Sequence, residues 1–65
     1  QQLTGRQIEI LTLLARGLSS KEIAFELGLS SKTVDVHRSR IMQRLGISDV
    51  ASLTRYAVRN RLEKL

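Results

Sequence analysis

The segment Ser19-Ser20-Lys21-Glu22-Ile23-Ala24-Phe25-Glu26-Leu27-Gly28-Leu29-Ser30-Ser31-Lys32-Thr33-Val34 decides the fold. Ser19 or Ser20 offers a hydroxyl to the free backbone amides that open a helix. Ile23, Ala24 and Leu27 then recur at the spacing of one helical face. Gly28 takes the left-handed conformation that closes a helix at little steric cost, so this helix is short, over 20–27. Leu29 follows, and Ser30 caps a longer helix over 31–45 that Gly46 ends. Two helices joined through a three-residue connection containing glycine form a helix-turn-helix.

N-terminal to this segment, Thr4-Gly5-Arg6-Gln7 has the form of a capping box: the threonine hydroxyl takes the amide three residues on, and the glutamine reaches back. Ile8, Leu11, Leu14 and Ala15 follow at helical spacing until Gly17, predicting a first helix over about 5–16. On the other side, Ser48 with Asp49 behind it places an oxygen acceptor and a negative charge at the positive end of a fourth helix, over about 49–60. Val50, Leu53 and Ala57 are expected to face inward from it. Proline and alternating strand patterns are absent. The expected class is therefore all-α, a compact four-helix domain containing the helix-turn-helix. Its expected core is Leu3, Ile8, Leu11, Leu14, Leu18, Ile23, Leu27, Leu29, Val34, Ile41, Leu45, Ile47 and Leu53, which is thin and implies modest stability.

The chain has 65 residues, 42% of them hydrophobic, enough for a single domain over 1–65 and too few for two cores. It begins at Gln1 and its one methionine is Met42, so we expect a domain cut from a longer polypeptide. Without cysteine and with His37 as the only histidine, neither a disulfide, a metal site nor a cofactor is expected. The carboxylates are dispersed, no nucleophile has a base beside it and no glycine-rich phosphate cradle appears, so no catalytic residue is assigned and the chain reads as a non-enzyme. No apolar run approaches the ~20 residues that span a bilayer, and no stretch has the layout of an export signal. A soluble, cytoplasmic protein with no membrane partner is expected.

The charge is distributed unevenly. Residues 1–30 carry Arg6, Arg16 and Lys21 against Glu9, Glu22 and Glu26 and are neutral, so the whole net charge of +5 lies on residues 31–65. This asymmetry suits a polyanionic partner, although a charge of this size also serves solubility alone. Phe25 and Tyr56 are the only aromatics, too few to stack successive unpaired bases, which disfavours single-stranded nucleic acid.

Projection of residues 31–45 on a helix separates two faces. Val34, Ile41 and Leu45 point one way, with His37 and Arg38 on the flanks. Opposite lie Lys32, Asp35, Val36, Ser39 and Gln43, with Thr33 and Arg40 toward one edge. Val36 is the informative member, because a β-branched apolar residue lowers helix propensity and gains nothing from water. Single exposed apolar residues are common, but a major groove would also use this one: a valine meets a thymine methyl, Asp35 accepts from a cytosine amino group, and Ser39 lets the backbone approach. Lys32, Thr33 and Arg40 would then meet phosphates.

The chain also resembles a family, the LuxR/FixJ-type helix-turn-helix domains of bacterial transcription regulators. The likeness runs through Leu3-Thr4 with Arg6, the run from Ile10-Leu11 to Leu14, Ala15 with Gly17-Leu18-Ser19-Ser20-Lys21-Glu22-Ile23-Ala24, then Leu27, Leu29-Ser30, Thr33-Val34, His37 and Leu45-Gly46. It implies sequence-specific binding of double-stranded DNA by the C-terminal output domain of a longer regulator, with the third helix in the major groove. It places base reading on Asp35, Val36 and Ser39, and backbone contact on Lys21, Thr33 and neighbours including Ser20. Many members carry lysine where this chain has Asp35 and Ser39. The run Asp35-Val36-His37-Arg38 is closer to the FixJ/NarL-like response-regulator branch, which implies an upstream phosphoryl-receiver domain, a homodimer on DNA and RNA polymerase as a partner in transcription.

For that dimer, Ala51, Val58 and Leu62 form a side face of the fourth helix distinct from its core face, suiting a symmetric contact. His37 is expected as a core-edge imidazole bonded to a backbone carbonyl or a phosphate. Arg38 is expected to lay its stem over apolar surface and pair with a carboxylate, or to turn toward DNA. Phe25 either meets an adjoining domain or covers a neighbouring side chain. Two rival readings share these elements: a sigma-factor-like promoter-binding domain, and a helical protein-interaction or dimerisation module that docks a partner helix around Val36.

Overall fold

Each helix begins where a side-chain oxygen satisfies the first free amides. Thr4 Oγ1 accepts from the Gln7 amide at 3.1 Å, and Gln7 Oε1 accepts from the Thr4 amide at 2.9 Å. A second capping box stands at Ser19, whose hydroxyl accepts from the Glu22 amide at 3.2 Å while the Glu22 carboxylate accepts from the Ser19 amide at 2.8 Å. Ser19, not Ser20, is thus the cap. Ser30 Oγ accepts from the Thr33 amide at 3.0 Å. At the last helix the cap is Asp49 rather than Ser48: its carboxylate accepts from the Ser52 amide at 2.9 Å and from the Ser52 hydroxyl at 2.8 Å. A carboxylate takes both donors at once, and the helix starts one residue later than expected.

The computed structural model describes residues 3–60, as α1 (Gly5–Ala15), α2 (Ser20–Leu27), α3 (Ser31–Leu45) and α4 (Val50–Arg59). No strand occurs among the described residues. The α2–α3 joint is a closed turn. Gly28 has φ +69°, and past it the Leu29 amide donates to the Ala24 carbonyl at 2.8 Å while the Gly28 amide donates to Phe25 at 3.4 Å. This pair of reversed bonds is the Schellman arrangement, and it satisfies carbonyls that the end of α2 would otherwise leave open.

α1 packs against all three other helices, and α2 packs against α3. Ile10, Leu11, Leu14, Ile23, Ala24, Val34, Ile41, Leu53 and Ala57 form the buried core. Three expectations are corrected. Ile8 is 38% exposed, and Ile10, absent from the expected core, is fully buried. The run from Ile8 to Ala15 is apolar on nearly every side, so periodicity alone does not select the inward face. Val50 is 40% exposed because, as the first residue of α4, it stands past the end of the packed face that Leu53 and Ala57 bury. Leu3, Leu18, Leu27, Leu29, Leu45 and Ile47 line the core half-buried, so the fully enclosed part is smaller than the sequence suggests.

Candidate nucleic-acid interface

α3 is anchored on one side and open on the other. Val34 and Ile41 are fully buried, whereas Lys32, Thr33, Asp35, Val36, Ser39, Arg40 and Gln43 are all exposed. The exposed row runs along a helix of 15 residues, about 22 Å long at 1.5 Å per residue. It offers ammonium and guanidinium groups, a carboxylate, hydroxyls, an amide and the branched apolar surface of Val36, which is 42% exposed. Near the C-terminal half of the row, Arg40, Gln43 and Arg44 line a cleft with the neutral Gln7 of α1, so the positive charge there belongs to α3 itself.

The sequence-assigned residues fall in two groups. Asp35, Val36 and Ser39 stand exposed together on α3, beside Lys32, Thr33 and Arg40. Ser20 and Lys21 lie at the start of α2, with Lys21 exposed and Ser20 half-buried. Thr33 Oγ1 accepts from the Ser30 hydroxyl at 2.9 Å, which holds its side chain at the N-terminus of α3.

The two groups are joined by Arg38, a link not read from the sequence. Its Nη1 donates to Ser20 Oγ at 3.0 Å, and its Nη2 lies 3.2 Å from Asp35 Oδ1. The pairing with a carboxylate expected for Arg38 is therefore with Asp35. The Ser20 contact crosses 18 positions of sequence and leaves no periodic trace. His37 is half-buried, as expected of a core-edge imidazole, and its Nδ1 is buried with no hydrogen-bond partner, so that nitrogen does not make the carbonyl bond that was one of the two partners expected for the ring.

Outside this row, Phe25 is 90% exposed, which suits the first of its two expected roles, a side chain open to an adjoining domain, better than the second. Ala51 and Val58 of α4 are exposed, Val58 by 46%. Leu62 lies outside the described residues. Among the described residues no three potential metal ligands converge, and no helix is long and apolar enough to cross a membrane.

The family model described as bacterial regulatory proteins, luxR family, matches residues 1–57. The chain is 51% identical over 53 residues to the transcriptional regulatory protein UhpA of Escherichia coli (strain K12), covering 82% of this chain and 27% of UhpA. It is 43% identical over 60 residues to the oxygen regulatory protein NreC of Staphylococcus aureus (strain JH9), covering 92% of this chain and 28% of NreC. The chain thus spans little more than a quarter of the length of these relatives. No solved structure matches it.

Proposed function

The chain belongs to the luxR family of bacterial regulatory proteins, and from that premise we propose that it reads the sequence of double-stranded DNA by laying α3 in the major groove. As a helix-turn-helix domain of this family it is a DNA-binding module of transcription regulation and not an enzyme. The observation that carries the finer reading is the two-sided character of α3: Val34 and Ile41 lock it to the core while the row from Lys32 to Gln43 faces outward. A helix with its side chains is about 10–12 Å across, and the major groove of B-form DNA is about 12 Å wide.

The roles divide by chemistry. Val36 meets a thymine methyl, Asp35 accepts from a cytosine amino group, and Ser39 contacts a base edge or lets the helix approach. Lys21, Lys32 and Arg40 meet phosphates, helped by the Ser20 and Thr33 hydroxyls, and these contacts supply most of the affinity without selecting sequence. Two copies related by a twofold axis, meeting through the face of Ala51 and Val58, would read an inverted repeat. We place the chain at the output end of a response regulator whose upstream portion is a phosphoryl receiver, acting in the cytoplasm on transcription by RNA polymerase. The length of UhpA and NreC beyond the matched region supports a longer polypeptide.

Selection from a pool of random duplexes tests the reading. A defined site is expected, with twofold symmetry if copies pair. Three cations from each of two copies neutralise about six phosphates, so affinity should fall roughly a thousandfold between about 50 and 200 mM salt. Enrichment of no sequence, or an affinity indifferent to salt, would overturn it. The second outcome would favour instead an apolar docking surface around Val36.

A further inference from the structure

We infer that Arg38 is a positioning residue for base selection: it sets the direction of the Asp35 carboxylate and ties that setting to the start of α2. This rests on the groove-reading role of α3 proposed above and goes beyond it. A carboxylate is a poor group to bring toward a duplex, because every neighbouring phosphate repels it. Asp35 is nevertheless in the middle of the exposed row, with its side chain 52% accessible. The guanidinium of Arg38 resolves the conflict. Its Nη2 lies 3.2 Å from Oδ1, leaving Oδ2 as the atom able to accept from a cytosine amino group.

Arg38 is itself held. Its Nη1 donates to Ser20 Oγ at 3.0 Å, across from α3 to the first turn of α2, and its side chain is only 29% accessible. A planar guanidinium presents its donors in a fixed fork, so a plane fixed at Ser20 also fixes where Asp35 is held. Lysine would keep the charge and lose the fork. Ser20 adjoins Lys21, so the same link sets the reading carboxylate against the end of α2 that meets phosphate. Arg38 thus acts on specificity through Asp35, without touching a base.

The test is a double-mutant cycle in which the ratio of affinities for two duplexes is read, not affinity alone. The duplexes are the site selected by the unmodified chain and the same site changed at the base pair whose preference Asp35→Asn alters. The unmodified chain should discriminate between them by about tenfold, within the range of one good base contact. Arg38→Met and Arg38→Lys should each lose most of that ratio. Arg38→Lys should keep affinity for unrelated duplex within about threefold, since the positive charge remains. Adding Asp35→Asn to either variant should change the ratio no further.

The inference fails if Arg38→Lys and Arg38→Met weaken both duplexes by the same factor and leave the ratio intact, or if the two positions contribute independently. It also fails if Asp35→Asn alters no preference at any base pair. These outcomes differ from failure of the groove reading itself, in which the unmodified chain selects no duplex. Arg38→Lys keeps the experiment decisive should Arg38→Met unfold, and helix content measured by circular dichroism separates the two.

Discussion

Replacing Gly28 by alanine isolates the energetic cost of the turn that sets α2 against α3. The residue has φ +69° and ψ +35°, and a Cβ built on it meets nothing within 4 Å. No clash therefore contributes, and the cost is the left-handed backbone itself, roughly 1–2 kcal/mol for a residue with a Cβ. Alanine also restricts the unfolded chain, which returns about 0.4–1 kcal/mol. The net loss should be near 1 kcal/mol, or a fall in Tm of about 4–8 °C for a domain of this size. Gly5 supplies the opposite case. It opens α1 without a positive φ, and a Cβ there also meets open space, so Gly5→Ala should raise stability by about 0.5–1 kcal/mol. Urea titrations followed by the circular dichroism of the helices read both changes with the slope held constant. Gly28→Asn should fall between glycine and alanine, since asparagine tolerates the left-handed region better. Equal and same-signed shifts for Gly28→Ala and Gly5→Ala would show instead that backbone conformation does not separate the two sites.

Ile10 is fully buried and Ile8 is 38% exposed, so Ile10→Ala should cost about 2–5 kcal/mol and Ile8→Ala less than about 1 kcal/mol, measured by the same titration. Ser19→Ala removes the hydroxyl that accepts from the Glu22 amide and should cost about 1 kcal/mol, with the loss of amide protection concentrated in α2 on hydrogen exchange. The Asp49 carboxyl is held below the ordinary aspartate value, first by the backbone amide of Ser52, then by its hydroxyl, with Arg55 adding charge. A lowered folded-state value means that this stabilisation is complete above the unfolded-state value and is lost as pH falls through the folded-state one. The start of α4 should therefore be unchanged from neutral pH into the mildly acidic range and loosen only below the usual carboxylate range. In Asp49→Asn, followed by amide chemical shifts of residues 50–53, that acid step should be absent.

The helices were legible in the sequence because their signals are local. Caps and closing glycines act within four residues, so Thr4, Ser30, Gly28 and Gly46 mark boundaries without knowledge of what packs where. The inward face of α1 was not legible, since Ile8, Ile10, Leu13 and Leu14 surround the helix and only contact with three other helices selects among them. Ser48 and Asp49 are both acceptable caps by residue type, and the choice depends on Ser52 offering a second donor. The exposed row of α3 was visible because Val34 and Ile41 alternate with polar residues at helical spacing. The coupling of Asp35 to Ser20 through Arg38 was not, because it depends on how α2 crosses α3.

Entry of the outward row of α3 into a duplex is what every proposed contact depends on. Nuclear magnetic resonance of the chain bound to its selected duplex, with the Val36 methyl groups and thymine methyls labelled, tests it most directly. Close contacts are expected between Val36 and a base edge in the major groove, with the largest amide shifts at residues 32–43. Bound DNA that leaves this row unshifted and perturbs α1 or α4 instead would contradict it.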